Sequence, residues 1–349
     1  MALPPMALFA LAALAPLPLL VAGVALGGGW ALAGLGYMTM LTASLDRLVP
    51  LIAGDAPEGA EFPAADTLLV VLALAHLAAL PLAVWAVAGG SGLGGAERLA
   101  LFLGFGLFFG QVSNPAAHEL IHRGDRSLFR LGVAIYTSLL FGHHVSAHRL
   151  VHHRHAASPD DPNTARRGEG FYRFAPRAWA GSFRAGLAAE SALRGRGARG
   201  LHPYAVYLCG AGLALGLAWG LAGAAGVLAW AGLAGHAQSQ LLLSDYVQHY
   251  GLMRARLADG RLEPVTDRHS WNAAPWFSAH VMLNAPRHSD HHAQPARPYP
   301  ALRLPGAGQA PRLPWSLPVA CVVALLPPLW RRKIHPRLAV WRARDPASA

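Results

Sequence analysis

Nine histidines in this 349-residue chain fall at spacings that suit metal binding. They are His118 and His122, then His148, His152 and His153, then His249, then His288, His291 and His292. On a helix, residues at i, i+3 and i+4 share a face, so each close group can direct two or three imidazoles at one point. Imidazole is a good ligand for zinc, copper, iron and nickel. Nine imidazoles exceed what one ion can bind, and the spacing therefore predicts two metal ions.

The reaction that such a site supports depends on the metal and on its surroundings. Zinc would catalyse hydrolysis through a bound water. A two-metal site that faces a cavity within lipid instead favours oxidation, because iron can activate dioxygen against an unactivated C–H bond and acid–base groups cannot. Glu119, Asp245 and Asp290 lie beside the histidines in sequence, and we expect them to accept ring N–H hydrogen bonds and so to orient the imidazoles.

The composition is typical of a membrane protein. Hydrophobic residues make up 54% of the chain and charged residues 13%, whereas soluble domains carry about 25% charged residues. The net charge of +11 comes mostly from arginines that flank apolar runs. The tendency of positive residues to stay on the cytoplasmic side of a membrane explains this charge better than nucleic-acid binding does.

Apolar runs of nearly 20 residues, the length that crosses a bilayer, recur along the chain and predict six spans. The runs cover approximately residues 6–26, 28–45, 67–88, 99–117, 204–220 and 225–244. The shorter runs 131–142 and 315–330 are predicted to pack at or beneath the membrane surface.

Six spans place both termini and every histidine group on the same side of the membrane. Of 29 Lys and Arg residues, 27 lie from Arg123 onward, and this asymmetry predicts that the histidines are cytoplasmic. Residues 118–200 and 245–312 would form a histidine-rich cap, although 146–200 shows little periodicity. The predicted fold is an all-α integral membrane protein: one domain over residues 1–349, with about six transmembrane helices and a cytoplasmic helical cap.

Six stretches of the sequence resemble the integral-membrane alkane 1-monooxygenase family, which belongs to the membrane fatty acid desaturase/hydroxylase superfamily. They are HELIHR (118–123), HRLVHH (148–153), DPNTARRGEGFYRF (161–174), DYVQHYGL (245–252), HSWN (269–272) and RHSDHHAQPARPYPALR (287–303). The HYG and RHSDHHA pieces distinguish alkane hydroxylases from ordinary desaturases. The resemblance runs in order through most of the chain.

The resemblance implies a non-haem di-iron centre that uses O2 to hydroxylate the terminal carbon of an alkane or alkyl chain. The nine histidines above would be its metal ligands, and Glu169, within the third stretch, would brace the histidine loops. The family is bound to the bacterial inner membrane and receives electrons from a rubredoxin that an NADH-dependent reductase reduces. We expect the rubredoxin to be a separate protein, because Cys209 and Cys321 cannot supply its four-thiolate iron site.

The chain departs from the family pattern at two positions beside the histidines. Ala147 precedes His148 where a Glu is usual, and Gln248 replaces the Glu that usually precedes His249. The alternatives in the same superfamily are a fatty acyl desaturase or hydroxylase and a monooxygenase of alkyl-aromatic methyl groups. A histidine-rich metal transporter is a more remote alternative, because transport predicts ligands within broken helices at mid-membrane, whereas these lie at the ends of spans and in loops.

Overall fold

The computed structural model describes residues 5–344 of the chain. Within that range the named elements are all helical, and β pairing is limited to isolated bridges. Four helices are long and apolar enough to cross a membrane, and one of them is kinked into two halves: Met6–Leu26, Ala64–Val87, Gly95–Ile121 and Pro203–His249. The all-α membrane fold predicted from the sequence is therefore confirmed.

The chain opens with a helical hairpin. Its first arm consists of α1 (Pro5–Leu14) and α2 (Pro16–Leu26), and its second arm is a continuous run of α3 (Gly29–Gly36), a π-helical turn (Tyr37–Leu41) and α4 (Thr42–Leu48). The two arms coincide with the first two predicted spans.

Glycine and one carboxylate fix the tip of this hairpin. Gly27 and Gly28 have φ angles of 62° and 55°, left-handed values that glycine adopts without a steric penalty. Glu97 accepts hydrogen bonds from the backbone N–H of Gly28 at 2.6 Å and of Gly94 at 2.8 Å. This side chain therefore ties the hairpin to the start of the helix that carries His118.

The next two long helices coincide with the third and fourth predicted spans. The first is α5 (Ala64–Val87), and the second is a continuous run of α6 (Gly95–Phe108), a π-helical turn (Phe109–Ser113) and α7 (Asn114–Ile121). The second run is four residues longer at each end than the predicted span 99–117, so it places His118 inside the helix.

Short helices follow and form the first part of the cap. They are α8 (Arg126–Ser138), α9 (His143–Ala147), a π-helical turn (His148–His152), α10 (His153–His155) and the longer α11 (Phe171–Gly195). As predicted for the run 131–142, α8 has 13 residues and is too short to cross a bilayer. The segment 146–200, whose sequence shows little clear periodicity, contains α11, a 25-residue amphipathic helix that buries one face.

The last two predicted spans are the halves of one long helix, α12 (Pro203–His249), which changes direction at Ala222 and Gly223, where the backbone is not helical. Gly223 has a φ of 55°, which glycine permits at a sharp bend. The second half runs five residues beyond the predicted span 225–244, so it carries His249 in its last turn. Together with the N-terminal hairpin, α5 and α6–α7, this arrangement is consistent with six crossings.

The C-terminal third completes the cap. Its elements are 3-10 turns at Asp267–His269 and Tyr299–Ala301 and the helices α13 (Trp276–Val281), α14 (His288–Ala293), α15 (Leu317–Ala324) and α16 (Pro327–Arg342). The run 315–330 does not form a spanning helix, in agreement with the prediction. Helix α16 instead buries Trp330, Ile334 and Leu338, spaced by four residues on one face.

Arg287 fastens the cap to the polar loop that follows the N-terminal hairpin. Its guanidinium, with 3% of the side chain exposed, pairs with the Asp55 carboxylate at 2.7 Å. It also donates to the backbone carbonyls of Ala53 and Leu302. The loop and the segment around His288 are therefore held together by one side chain.

Replacement of this side chain should loosen the cap. In Arg287→Met the two carbonyls lose a charged donor, and a buried acceptor without a partner costs about 1–3 kcal/mol. We expect a lower temperature of thermal unfolding in detergent and faster proteolysis of the 49–62 loop. The matched control is Arg261→Met, because the Arg261–Asp259 pair is largely exposed and such pairs contribute little. Equal stability of the two variants would contradict the role given to Arg287.

Candidate metal centre

The structure gathers the nine sequence-predicted histidines into two adjoining groups. The first contains His118, His122, His148, His153 and His291, and the second contains His152, His249, His288 and His292. Within each group, one nitrogen from every ring lies within 4.8 Å of all the others. The groups touch, because the ring centroids of His153 and His292 are 4.9 Å apart.

In the group of five histidines, the Nε2 atoms lie at distances that hydrogen bonds between the rings cannot explain. His118 and His291 are 2.8 Å apart, and His122, His148 and His153 lie 2.9–3.2 Å from each other. A neutral imidazole has one N–H, so three mutually facing nitrogens cannot all be paired by hydrogen bonds. Nitrogens bound at about 2.0–2.1 Å to one ion would lie roughly 3 Å apart. The donor set therefore fits a metal ion.

The group of four histidines fits a second ion by the same argument. The Nε2 atom of His288 lies 2.9 Å from that of His249 and 3.1 Å from that of His292. The Nε2 atom of His152 is buried and has no hydrogen-bond partner among the described residues. All four rings are buried, whereas His118, His122 and His153 of the first group are partly exposed.

A π-helical turn divides His148, His152 and His153 between the two groups. The sequence predicted that His148 and His152 share a helical face, but residues 148–152 form a π-helical turn with i to i+5 hydrogen bonds. This wider turn puts His148 and His153 in the first group and directs His152 to the second. The prediction that each group in the sequence serves one point is therefore wrong here.

The last three histidines are also divided. His288 and His292, one helical turn apart on α14, enter the second group, while His291 enters the first. The Oδ1 atom of Asn272 accepts hydrogen bonds from the backbone N–H and the hydroxyl of Ser289, at 3.1 and 3.0 Å. Asn272, the last residue of the HSWN stretch, thereby fixes the first turn of this six-residue helix.

A strained turn precedes α14. Leu283 and Asn284 have φ angles of 50° and 57°, which are costly for residues other than glycine. The turn is held because the backbone N–H of Asn284 donates to the Ala279 carbonyl at 2.7 Å and its side-chain amide donates to the Tyr299 carbonyl at 2.9 Å. These two hydrogen bonds therefore hold the turn that leads from α13 into α14.

Burial keeps the cap imidazoles ready to bind metal. It lowers the pKa of His148, His153, His288, His291 and His292 well below the ordinary histidine value, and repulsion between neighbouring rings lowers it further. These rings are therefore neutral at pH 7. A neutral imidazole offers the lone pair that a metal ion requires.

Asp161 orients one histidine and was not among the sequence-predicted site residues. Its carboxylate accepts a hydrogen bond from His152 Nδ1 at 2.9 Å and another from the Thr164 hydroxyl at 2.7 Å. Burial lowers the pKa of His152, but attraction to this carboxylate outweighs it and raises the pKa overall. With Nδ1 so engaged, Nε2 is the atom left for a metal. The signal was the DPNTARRGEGFYRF stretch itself, which begins at this aspartate.

The acidic residues predicted to orient the imidazoles act elsewhere. Glu119 accepts from the backbone N–H of Tyr299 at 3.2 Å, and Asp290 pairs with Arg297 and accepts from the backbone N–H of Arg303 at 2.8 Å. These two carboxylates fasten the segment that follows α14. Their hydrogen bonds within the described chain do not go to the nine imidazoles.

The other two predicted carboxylates hold the loop around Asp161. Asp245 accepts from the side-chain amide of Asn163 at 2.6 Å, so its hydrogen bond goes to that loop, and it acts on His152 by charge. Glu169 pairs with Arg177, and its backbone carbonyl accepts from the Tyr246 hydroxyl at 2.7 Å. Glu169 therefore holds the loop around Asp161, whereas Asp245 makes no hydrogen bond to a histidine ring of the described chain.

The two departures from the family pattern have local explanations. A Cβ atom on Gly186 of α11 would lie 3.0 Å from the backbone nitrogen of Ala147, so the helix packs directly on this small residue. Gln248 donates its amide N–H to the Ala285 carbonyl at 3.0 Å and accepts from the Ser244 hydroxyl at 2.8 Å. An amide donor is what that carbonyl requires, and an ionised Glu has none.

A cavity of about 450 Å³ opens onto both groups. Its inner end is lined by His118, His148, His288 and His291. From there it extends between α6–α7, the second half of α12 and α15, past a mainly apolar surface. Its volume lies in the range of small-molecule sites.

Comparison with known proteins agrees with this geometry. The fatty acid desaturase family matches residues 95–314. Alkane 1-monooxygenase 1 of Pseudomonas aeruginosa is 34% identical over 251 residues, which are 70% of this chain and 65% of the relative. Alkane 1-monooxygenase of Pseudomonas putida is 33% identical over 295 residues, 77% of this chain and 67% of the relative. The xylene/toluene monooxygenase hydroxylase component of Pseudomonas putida is 30% identical over 242 residues, 66% of this chain and 62% of the relative.

Spanning helices with a histidine cluster at their ends and the desaturase match define a multi-pass membrane protein of the fatty acid desaturase/hydroxylase superfamily. Within this class, the chain belongs to the integral-membrane alkane 1-monooxygenase family, a family of oxidoreductases. The assignment made from the sequence is thus confirmed. The matched part spans about two thirds of the length of these relatives.

Loss of the Asp161 carboxylate should weaken metal binding. Partners that orient a ligating histidine typically contribute 10–100-fold to metal affinity. We expect Asp161→Asn to bind the second metal about 10-fold or more weakly, measured as metal content after dialysis against graded chelator. Asp160→Asn is the matched control, because Asp160 is half exposed and pairs with Arg256 on the surface. Identical metal retention in the two variants would remove Asp161 from the site.

Proposed function

We propose that the protein is a non-haem di-iron monooxygenase that hydroxylates the terminal carbon of an alkane or alkyl chain. The observation that carries this proposal is the apolar cavity that ends on imidazoles of both histidine groups. The names of the relatives support the same chemistry. Two irons held by the nine histidines would activate O2, which the protein's own acid–base groups cannot do.

The residues of the chain would position the substrate and exclude water. The far wall of the cavity includes Leu241, Leu243, Val322 and Leu325, which suits an alkyl chain because transfer of apolar surface from water is favourable. The inner end includes His118 and His288, one from each group. A terminal methyl group that reaches this end would face both metal positions at once.

The electron donor in this proposal is a separate rubredoxin, reduced by an NADH-dependent reductase. Two observations support its approach over the first histidine group. His122 and His153 are partly exposed there, and the charges of Arg123 and Arg149 act on His122. A basic surface attracts an acidic partner and speeds their encounter.

We further propose that the chain is one membrane-embedded domain in a bacterial inner membrane, with the histidine groups on the cytoplasmic side. The concentration of arginines from Arg123 onward supports this orientation. Rubredoxin and NADH are then available on the side where the first group meets the surface. The resemblance to the xylene/toluene enzyme makes alkyl-aromatic methyl groups the second candidate substrate class.

Reconstitution tests the activity directly. Purified protein should contain about two irons per chain and, with rubredoxin, its reductase, NADH and O2, should convert octane to 1-octanol. Gas chromatography with mass spectrometry identifies the product, and the panel should include p-xylene and a fatty acyl substrate. Zinc in place of iron, together with no O2 consumption on any substrate, would refute the proposal.

A ligand variant tests the metal assignment. His291→Ala removes one of the five donors of the first group, so we expect loss of iron and a fall in activity of more than about 100-fold. His202→Ala is the control, because His202 lies at the start of α12, where it accepts a hydrogen bond from the backbone N–H of Tyr204 at 3.2 Å. It should retain both iron and activity. Equal behaviour of the two variants would invalidate the ligand set.

A further inference from the structure

Amide side chains line the cavity beyond the histidines. Gln111, Asn114 and Gln240 all face it, and only 9% of Gln111 and 4% of Asn114 is exposed. The side-chain oxygens of all three are buried and accept no hydrogen bond from the described residues. Polar groups in membrane-spanning segments are rare and mark functional sites. Three such acceptors together call for a hydrogen-bond donor from a bound molecule.

The crossing of two helices brings these amides together. The Asn114 amide donates to the Ala237 carbonyl of α12 at 2.9 Å, and the Gln240 amide donates to the Gly106 carbonyl of α6 at 2.7 Å. A Cβ atom on Gly110 would lie 2.2 Å from the Gln240 side chain, so glycine is required for this close approach. Two of the amides thus use their N–H groups to hold the crossing and leave their oxygens free.

Gln111 differs because its amide makes no hydrogen bond to the described part of the chain. It belongs to the π-helical turn between α6 and α7, and such turns are frequent at functional sites. A buried glutamine does not stabilise the fold here, since an apolar side chain would pack without an unsatisfied polar group. A role in ligand binding explains why a glutamine occupies this position.

The cavity therefore has two different walls. Along α12 the lining includes His236, Gln240, Ser244 and Gln248, spaced by four residues, whereas the facing helix α15 contributes Pro318, Cys321 and Val322, and Leu325 follows at its end. A plain alkane matches only the second wall. A chain with one polar group matches both, because a few placed polar groups in an apolar site fix a ligand's orientation.

Helix geometry places the amides at a distance from the metal positions. Asn114 precedes His118 by four residues and Gln240 precedes His249 by nine, which correspond to about 6 and 14 Å along the helices. Deepening the function proposed above, on which it rests, we propose that the substrate is a medium-chain alkanol. Its hydroxyl hydrogen-bonds the Gln111 side-chain amide within the amide cluster, and its far methyl group lies against His118 and His288.

The reaction is a terminal hydroxylation that keeps the first hydroxyl intact. One atom of O2 enters a methyl C–H bond and the other leaves as water. Two electrons from a reduced iron protein and two protons balance the equation. A 1-alkanol therefore becomes an α,ω-diol, and 1-octanol yields 1,8-octanediol.

The test compares kcat/KM for 1-octanol and for octane, assayed separately, in the wild type and in Gln111→Leu. We expect the wild type to prefer 1-octanol and the variant to lower the ratio of the two constants by about 10-fold or more, since sites built to hydrogen-bond a hydroxyl discriminate strongly. Octane turnover should fall less than 1-octanol turnover, because octane makes no hydrogen bond with the Gln111 amide. Gln111→Met repeats the test with an unbranched side chain of similar length.

The matched control is Gln238→Leu on α12, the helix that also carries Gln240. Gln238 accepts from Trp179 Nε1 at 2.9 Å and donates to the Leu139 carbonyl at 2.8 Å, so its loss should lower thermal stability and leave the ratio unchanged. No product from either compound would overturn the proposed function itself. Octane turnover with a ratio unaffected by Gln111→Leu would overturn the alkanol proposal alone and assign the amides to bound water. Octanal as the main product of 1-octanol would also overturn it.

Discussion

Nine imidazoles converge inside an apolar helical protein, and their mutual contacts impose the constraint that the rest of the structure meets. Burial keeps cap imidazoles such as His148 and His153 neutral, and the nitrogens of His122, His148 and His153 face one another without enough N–H groups to pair them. Such a cluster is costly for the protein alone and is resolved by metal ions. The surrounding helices therefore have to hold the rings at fixed distances against repulsion, and this requirement explains why the cap is so densely cross-connected.

The connections run between the stretches that resemble the family. Asn272 fixes α14, the backbone N–H of Trp271 donates to the Gln248 carbonyl at 2.8 Å, and Asp161 holds His152. Each of these three contacts thus supports a histidine in a different stretch of the sequence. The removal of one element would therefore release a ligand carried by a different one.

Two π-helical turns link the metal centre to the cavity. The turn at 148–152 distributes neighbouring histidines between the two groups, and the turn at 109–113 presents Gln111 beside the helix crossing. The turn at 109–113 lies within the predicted span 99–117, and the turn at 148–152 lies in the segment whose sequence shows little periodicity. Between the two turns lies the cavity, whose apolar wall suits an alkyl chain and whose amide wall suits a hydroxyl. The proposed reaction and the proposed substrate class therefore both depend on a π-helical turn.

The sequence by itself determined the fold class, the family, the nine histidines and nearly all of the spans, because hydropathy and residue spacing are local properties that can be read directly from the sequence. Only the tertiary structure decided how the histidines are divided, since His291 and His292 are neighbours in sequence yet enter different groups. It also assigned the orienting role to Asp161 in place of Asp245 and Asp290, and it revealed α11 in a segment without apparent periodicity. Which carboxylate meets which ring depends on the packing of distant segments, and spacing along the chain does not encode that.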